Sequence, residues 1–449
     1  MRRRPFRRRA RPHPAQVVLA GFALATAIGT GLLLLPVATH GPESATPIQA
    51  FFTAVSAISV TGHIIVPTPD FWSPFGQVVI LLLIQLGGLG VMTFASIVGF
   101  VVVRRMSLRS RLTTATESKA LGLDDLQRVV RGVLRTALVI EGAVALVLTL
   151  WFGLVYEYPW GKAIWYGVFH GVSSFNNAGF ALFDDSLEGF ASDPVVCLTI
   201  ALSIILGGLG FPVLLQLRKH LRSPRLWSMN TRIVVFATPV LLILGSVYIT
   251  AIEWNNPDTL GRLDPAARIL AGFFQSVQTR TAGFDSVPIG SMHETTWLGM
   301  DVLMLIGGGP AGTAGGIKVT TFAVLLFILL AEVRGDGVVN VFGKRLSRAV
   351  HRQAIAVALV SLAVIITATG AIMLMTEHRL GETLFEVISA FSTVGLSTGI
   401  TAGLPVGAQL VLAALMFVGR LGPITFATAL ALRERSVLYQ YPKERPIIG

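Results

Sequence analysis

Phe52-Thr53-Ala54-Val55-Ser56-Ala57-Ile58-Ser59-Val60-Thr61-Gly62 is a short, mostly apolar run that ends on a glycine ten residues after its phenylalanine. The run returns three times: from Phe169 to Asn176-Asn177-Ala178-Gly179, from Phe273 to Arg280-Thr281-Ala282-Gly283, and from Phe385 to Ser392-Thr393-Val394-Gly395. The Phe-to-Gly interval is ten in every copy. Repetition at this scale means four copies of one structural unit, so architecture follows before any single residue is interpreted. A glycine ending a short helix carries no Cβ to restrict φ/ψ, and its turn can present backbone carbonyls to a ligand. Four such turns around one axis make a cation filter lined by carbonyl oxygens.

Composition agrees with a membrane setting. The 449 residues are 53% hydrophobic and 13% charged, with a mean hydropathy of +0.70, whereas soluble domains carry about 25% charged residues. The single cysteine, Cys197, excludes an intrachain disulfide. A net charge of +12 could suit nucleic acid, but its distribution does not: seven arginines crowd the first eleven residues, and most other basic residues fall between hydrophobic spans. That is the pattern of cytoplasmic loops, and it argues against a nucleic-acid partner. The stretch 16–38 is longer than the roughly 7–15 apolar residues of a cleaved signal, so it reads as a retained first span.

Apolar stretches of bilayer-crossing length, about 20 residues, occur near 16–38, 74–103, 132–156, 193–217, 232–254, 297–331, 353–376 and 406–432. Shorter apolar stretches at 47–58, 163–175, 267–279 and 382–391 lie between them and match re-entrant half-helices. The expected fold is an all-α membrane protein of four parallel span–pore-helix–span repeats, with pseudo-fourfold symmetry around a central pore. The repeats occupy 16–103, 132–217, 232–332 and 353–432. Connectors fall at 104–131, 218–231 and 333–352, with an arginine-rich start at 1–15 and a tail at 433–449.

Charge orients these units. The region 104–135 carries eight basic residues against three acids, while 40–73 has no lysine or arginine and 157–194 has Lys162 against five acids. The half-helices therefore enter from outside, and both termini are cytoplasmic. Two spans per unit return the chain to one side, so successive units are parallel and close around an axis along the membrane normal.

Each short helix should aim its C-terminal end at the pore centre, where unsatisfied carbonyls supply roughly half a negative charge and favour a cation. The candidate ion-binding residues are Ser59, Val60, Thr61 and Gly62; Asn176, Asn177, Ala178 and Gly179; Arg280, Thr281, Ala282 and Gly283; and Ser392, Thr393, Val394 and Gly395. Arg280 reads as a brace to carbonyls or to a pore-helix acid such as Glu386, since a cation does not ligate a cation.

A second repeated element follows: Gly87-Gly88-Leu89-Gly90, Gly207-Gly208-Leu209-Gly210, Gly307-Gly308-Gly309 and Gly419-Arg420-Leu421-Gly422. In the first two units these glycines read as close helix packing. In the third they continue through Pro310, Ala311, Gly312, Thr313, Ala314, Gly315, Gly316 and Ile317 to Lys318. That run will not stay helical, and irregular backbone at membrane depth survives only beside protein or water. It is expected to form a mobile gating loop below the filter. Arg420 stands where the other units have Gly88, Gly208 and Gly308. It reads as an electrostatic barrier or a latch for that loop, with a structural salt bridge as the alternative. There is no phosphate loop, His-Glu-x-x-His or cysteine cluster, so no enzyme chemistry is expected. His63 and His170 read as ordinary polar residues flanking pore segments.

With these motifs in hand, the chain from about 16 to 449 resembles the Trk/Ktr/HKT superfamily of potassium transporters. The resemblance rests on Ser59-Val60-Thr61-Gly62, Asn177-Ala178-Gly179-Phe180, Gln278 to Phe284, Thr393-Val394-Gly395, Gly315-Gly316-Ile317-Lys318 and Gly419-Arg420-Leu421-Gly422-Pro423. Eight spans and the tail Tyr441 to Gly449 are similar to the branch of KtrB-type translocating subunits, with Lys443 and Pro446 as mild departures. The resemblance implies potassium as the transported ion, held by filter carbonyls, and no organic cofactor. It also implies a plasma-membrane homodimer with one pore per subunit, and a cytoplasmic RCK-domain ring of KtrA or TrkA type that binds nucleotides and controls the gate. Gly62 favours potassium, because serine at the first filter accompanies sodium transport in this superfamily. A sodium-selective or sodium/potassium co-translocating member of the same fold is the alternative.

Overall fold

The computed structural model describes residues 14–41, 44–111 and 123–422. The arginine-rich start, the middle of the first connector and the tail after 422 lie outside the described residues, as does the end of the expected last span.

The described chain is almost wholly helical: α1 (Pro14–Leu33), α2 (Pro47–Ser59), the single turn α3 (Thr68–Phe71), α4 (Pro74–Arg111), α5 (Leu123–Leu154), α6 (Trp160–Phe175), α7 (Pro194–Leu209), α8 (Phe211–His220), α9 (Met229–Glu253), α10 (Pro265–Gln278), α11 (Glu294–Leu305), α12 (Val319–Arg334), α13 (Arg348–Met373), α14 (Leu380–Ser392) and α15 (Val406–Leu421). A small antiparallel hairpin, β1 (Asn340–Val341) and β2 (Lys344–Arg345), joins α12 to α13.

Five of the described helices, α1, α4, α5, α9 and α13, are long and apolar enough to cross a bilayer. Their outward faces carry exposed Leu138, Val139 and Leu146 on α5 and Leu359, Leu362 and Ile366 on α13. In hydrocarbon such side chains face the solvent they prefer, while backbone hydrogen bonds close within each helix.

The second spans of the units depart from the expected uninterrupted form. The stretch 193–217 is two helices, α7 and α8, meeting at 99°. The break falls at Gly210, whose φ of +93° ends α7, and α8 begins at the next residue with Pro212 in its first turn. The stretch 297–331 is likewise two helices, α11 and α12, separated by residues 306–318. The helix α15 stops before Gly422, which has a φ of +83°. Only the first unit carries its glycine run, Gly87 to Gly90, inside a continuous helix.

The short helices α2, α6, α10 and α14 sit inside this shell, and their inner residues are buried throughout. Two of the four, α2 and α10, begin on a proline, Pro47 and Pro265, and α6 begins just after Pro159. Thr46 and Gln49 add a reciprocal capping box to α2, satisfying N–H groups that the helix start would otherwise orphan. Phe52, Phe169 and Phe385 of the repeated motif are fully buried; Phe273 is half-buried, and Phe274 beside it takes the core position.

Candidate ion pathway

All four short helices end in the same turn. The residue two before each motif glycine is left-handed although it is not glycine: Val60 at φ 55°, Asn177 at 58°, Thr281 at 69° and Thr393 at 51°. The glycine itself follows at positive φ: 88° for Gly62, 69° for Gly179, 79° for Gly283 and 96° for Gly395. Backbone hydrogen bonds close the turns back onto their helices, as in Thr61 N to Ser56 O (2.9 Å), Ala178 N to Ser173 O (2.8 Å), Ala282 N to Gln278 O (3.0 Å) and Val394 N to Ser389 O (2.8 Å). Left-handed backbone costs a non-glycine residue free energy, so four buried instances in register mark a conformation held by its surroundings.

The four turns meet in closed cyclic order. A methyl group on Gly62 would collide with the Ala178 carbonyl, one on Gly179 with that of Ala282, one on Gly283 with that of Val394, and one on Gly395 with that of Thr61. Each turn thus stands against the next, and the fourth returns to the first. The same glycines line one outer cavity of about 300 Å³, whose wall also carries Asp184, Asp185, Glu188 and Asp285. Acids at a mouth concentrate cations over the ring.

Beneath the ring, residues 306–318 run between opposite units. On one side, Gly309 N donates to Gly208 O (2.7 Å) and Thr313 N to Gly207 O (3.2 Å). Thr313 Oγ1 donates to Asn177 Oδ1 (2.9 Å) in the second turn. On the other side Gly315 packs so tightly on Ser392 and Thr393 of the fourth turn that a methyl group has no room. Thr313 itself meets both of these opposite units, bonding Gly207 O and Asn177 of the second and accepting from Arg420 of the fourth, so the segment reaches under the ring toward the axis. Gly307 N to Ile317 O (2.8 Å) and Val319 N to Gly308 O (3.0 Å) close its neck, leaving Gly312, Ala314 and Gly316 within the crossing portion. The run Gly207–Gly210 is therefore more than a helix-packing surface: it ends α7 and docks this loop. Gly87 and Gly88 do fit the packing expectation, lying against Ile58 O and the Asn176 side chain.

Two cations hold the crossing segment. Arg420 is 3% exposed; its Nη1 donates to Thr313 O, and its Nη2 to Gly87 O (3.3 Å). Lys318 Nζ donates to Ala314 O (2.6 Å) and Gly315 O (3.3 Å). No carboxylate pairs with Arg420 among the described residues, so the salt-bridge alternative has no partner there. Arg280 donates to Gly307 O (3.2 Å), the carbonyl brace expected of it. The suggested pairing with Glu386 does not form, because hydroxyls and a backbone N–H around the fourth turn occupy that carboxylate.

Sequence reasoning passed over one buried cluster. Glu141 on α5 is 4% exposed and accepts from Gln85 Nε2 at both oxygens (3.1 and 3.0 Å) and from Asn176 Nδ2 (3.0 Å). It stands behind the second turn, and the signal that could have found it is a lone glutamate inside an apolar span. His63 and His170, read as ordinary polar residues, are both fully buried.

A ring of inward turns at the ends of four half-helices, an acid-lined mouth and a hydrogen-bonded segment across the axis define a channel-like membrane transporter for cations. Comparison with known proteins reaches the same class: the TrkH family, described as cation transport protein, matches residues 5–439. The chain belongs to this family. It is 37% identical to the Ktr system potassium uptake protein B of Bacillus subtilis (strain 168), over 97% of each chain. It is 38% identical to the protein of that name from Vibrio alginolyticus, over 99% of this chain and 96% of the relative. The potassium/sodium uptake protein NtpJ of Enterococcus hirae is 33% identical over 98% of both. The crystal structure of the potassium transporter TrkH from Vibrio parahaemolyticus shares the fold at a TM-score of 0.74 and 16% identity, covering 96% of this chain and 87% of that one.

Proposed function

We propose that this chain carries potassium ions across the plasma membrane into the cell, through a pore whose selectivity filter is built from the turns ending at Gly62, Gly179, Gly283 and Gly395. The observation that supports it best is the closed order in which each of these glycines abuts the carbonyl of the next turn. Carbonyl oxygens in such a ring replace the hydration shell of an ion stripped of water. The C-terminal ends of α2, α6, α10 and α14 add their dipoles to that field. Potassium uptake is also what two relatives matched over nearly their whole length are named for.

In this reading residues 307–318 are an intramembrane gate, closed by Arg420 and Lys318 through carbonyls of the loop. Both termini are cytoplasmic, two copies assemble with one pore each, and a cytoplasmic nucleotide-binding ring of RCK domains acts on the gate. A second reading, sodium conduction or sodium–potassium co-translocation, draws support from the likeness to the potassium/sodium uptake protein.

Growth rescue of cells lacking their own potassium uptake tests both. Rescue at limiting potassium without added sodium supports the first reading, and rescue only with sodium supports the second. No rescue by a protein that reaches the membrane, with potassium-independent sodium currents in vesicles, overturns potassium uptake.

A further inference from the structure

Glu386 lies on α14, nine residues before Gly395, and is 1% exposed. Its Oε1 accepts from Ser397 Oγ (2.7 Å), Thr398 N (2.8 Å) and Thr398 Oγ1 (3.1 Å), and its Oε2 from Thr401 Oγ1 (2.7 Å). Every donor belongs to the chain leaving the fourth turn toward the outside. The same Oε2 lies 3.7 Å from Nδ1 of His63, the residue that follows Gly62. Gly395 and the first turn are neighbours in the ring, since Gly395 abuts Thr61 O. One carboxylate therefore fastens the outer limb of the fourth turn and abuts that of the first.

A second unit repeats the arrangement with different chemistry. His170 sits nine residues before Gly179, and its Nε2 accepts from the backbone N–H of Leu182 (3.3 Å), three residues after that glycine. Thr398 is likewise three residues after Gly395. The register is thus a position from which a pore helix can grip the outgoing limb of its own turn. Phe274 occupies it in the third unit and offers no acceptor; there Gln278 Oε1 takes the Phe284 N–H instead (3.0 Å). A fully buried carboxylate is costly unless donors satisfy it. Four donors on one short strap make charge-assisted bonds that resist displacement. Ser397 and Thr401, which supply two of them, also line the outer cavity together with Gly62 and Gly395.

We propose that Glu386 is a positioning residue for ion selection: it holds the outermost carbonyls of the fourth turn, packed beside His63 of the first, at the spacing that separates cations by size. The proposal rests on the reading of the four turns as a filter, and its test keeps the two apart. The purified chain in liposomes is assayed for its potassium-to-sodium permeability ratio, half-saturating potassium and melting temperature. The variants are Glu386→Ala, Glu386→Gln, the pair Ser397→Ala/Thr401→Val, and Gly395→Ser as the filter reference. Glu386→Ala is expected to lower the ratio about tenfold while maximal flux persists. The Ser397→Ala/Thr401→Val pair should shift it the same way by less, because Thr398 still bonds the carboxylate. Glu386→Gln, which keeps one acceptor oxygen, should fall between them. Should Glu386→Ala fail to fold, the paired hydroxyl variant and Glu386→Gln decide. An unchanged ratio in those variants, with a changed one in Gly395→Ser, overturns the role of Glu386 and leaves the filter standing. An unchanged ratio in all of them, Gly395→Ser included, overturns the filter and this proposal together.

Discussion

The Arg420 guanidinium donates to the carbonyl oxygen of Thr313, joining the last described helix of the fourth unit to the loop of the third. Because its second bond goes to Gly87 O, this one side chain touches three of the four units. If the loop is a gate, Arg420 favours the closed state. A hydrogen bond from a charged donor contributes about 1.5–3 kcal/mol, and about 1.4 kcal/mol corresponds to tenfold in an equilibrium. Arg420→Ala is therefore expected to raise maximal potassium uptake about tenfold, with half-saturation, set above the loop, little changed. The change leaves the buried Thr313 carbonyl without this donor, at about 1–3 kcal/mol, so the melting temperature in detergent should fall modestly while uptake rises. A lowered melting temperature without a gain in uptake refutes the latch.

Gly315 offers a steric route to the same end. A methyl group there would meet Thr393 Oγ1 and Ser392 O, so Gly315→Ala prevents the loop from seating under the fourth turn. Uptake should rise as for Arg420→Ala. Gly337→Ala, in open space beyond α12, serves as the control and should leave uptake unchanged. Equal uptake in both variants argues against the crossing segment as a barrier.

The helical fold and the four short helices were legible in the sequence because the Phe-to-Gly interval and the flanking apolar lengths are local properties. The turns were legible only in part. Glycine announced its own positive φ, and Asn177 tolerates a left-handed backbone, but nothing in Val60, Thr281 or Thr393 signals one, which the meeting of four turns imposes. The break at Gly210 was also hidden, since Gly207-Gly208-Leu209-Gly210 and Gly87-Gly88-Leu89-Gly90 look alike. What separates them is Pro212, whose ring cannot continue α7, and the third unit's loop, which supplies Gly309 N–H and Thr313 N–H to the carbonyls of Gly208 and Gly207. Partners distant in sequence decide such cases.

The closed ring makes a prediction about equivalence. Gly62→Ser places a side chain against the Ala178 carbonyl, and Gly283→Ser places one against that of Val394. Each should lower potassium preference over sodium, by about tenfold if one carbonyl layer is displaced. Reversal potentials in mixed ions measure this. Gly343→Ser is the comparison: Gly343, in the β1–β2 hairpin away from the ring, has positive φ as well, at 74°, but open space around it. Strain alone would make Gly343→Ser as harmful to selectivity as the ring variants, and that result would sink the filter assignment.

Glu141 separates stability from selection. Glu141→Leu removes the acceptor for Gln85 Nε2 and Asn176 Nδ2 and leaves buried amides underbonded. Each such group costs about 1–3 kcal/mol, so the melting temperature should fall clearly. Glu141→Gln retains an oxygen for Asn176 and should lose much less. Replacing a whole buried polar cluster with packed apolar residues is often neutral or stabilising. The triple variant Gln85→Leu/Glu141→Leu/Asn176→Leu should then recover the melting temperature of the parent. Asn176, however, opens the second turn, and its amide also bonds Val172 O (2.9 Å). The triple variant should therefore stay impaired in potassium preference although it is as stable as the parent. A triple variant that regains both stability and selectivity would show that the cluster only fills space, with no part in shaping the turn.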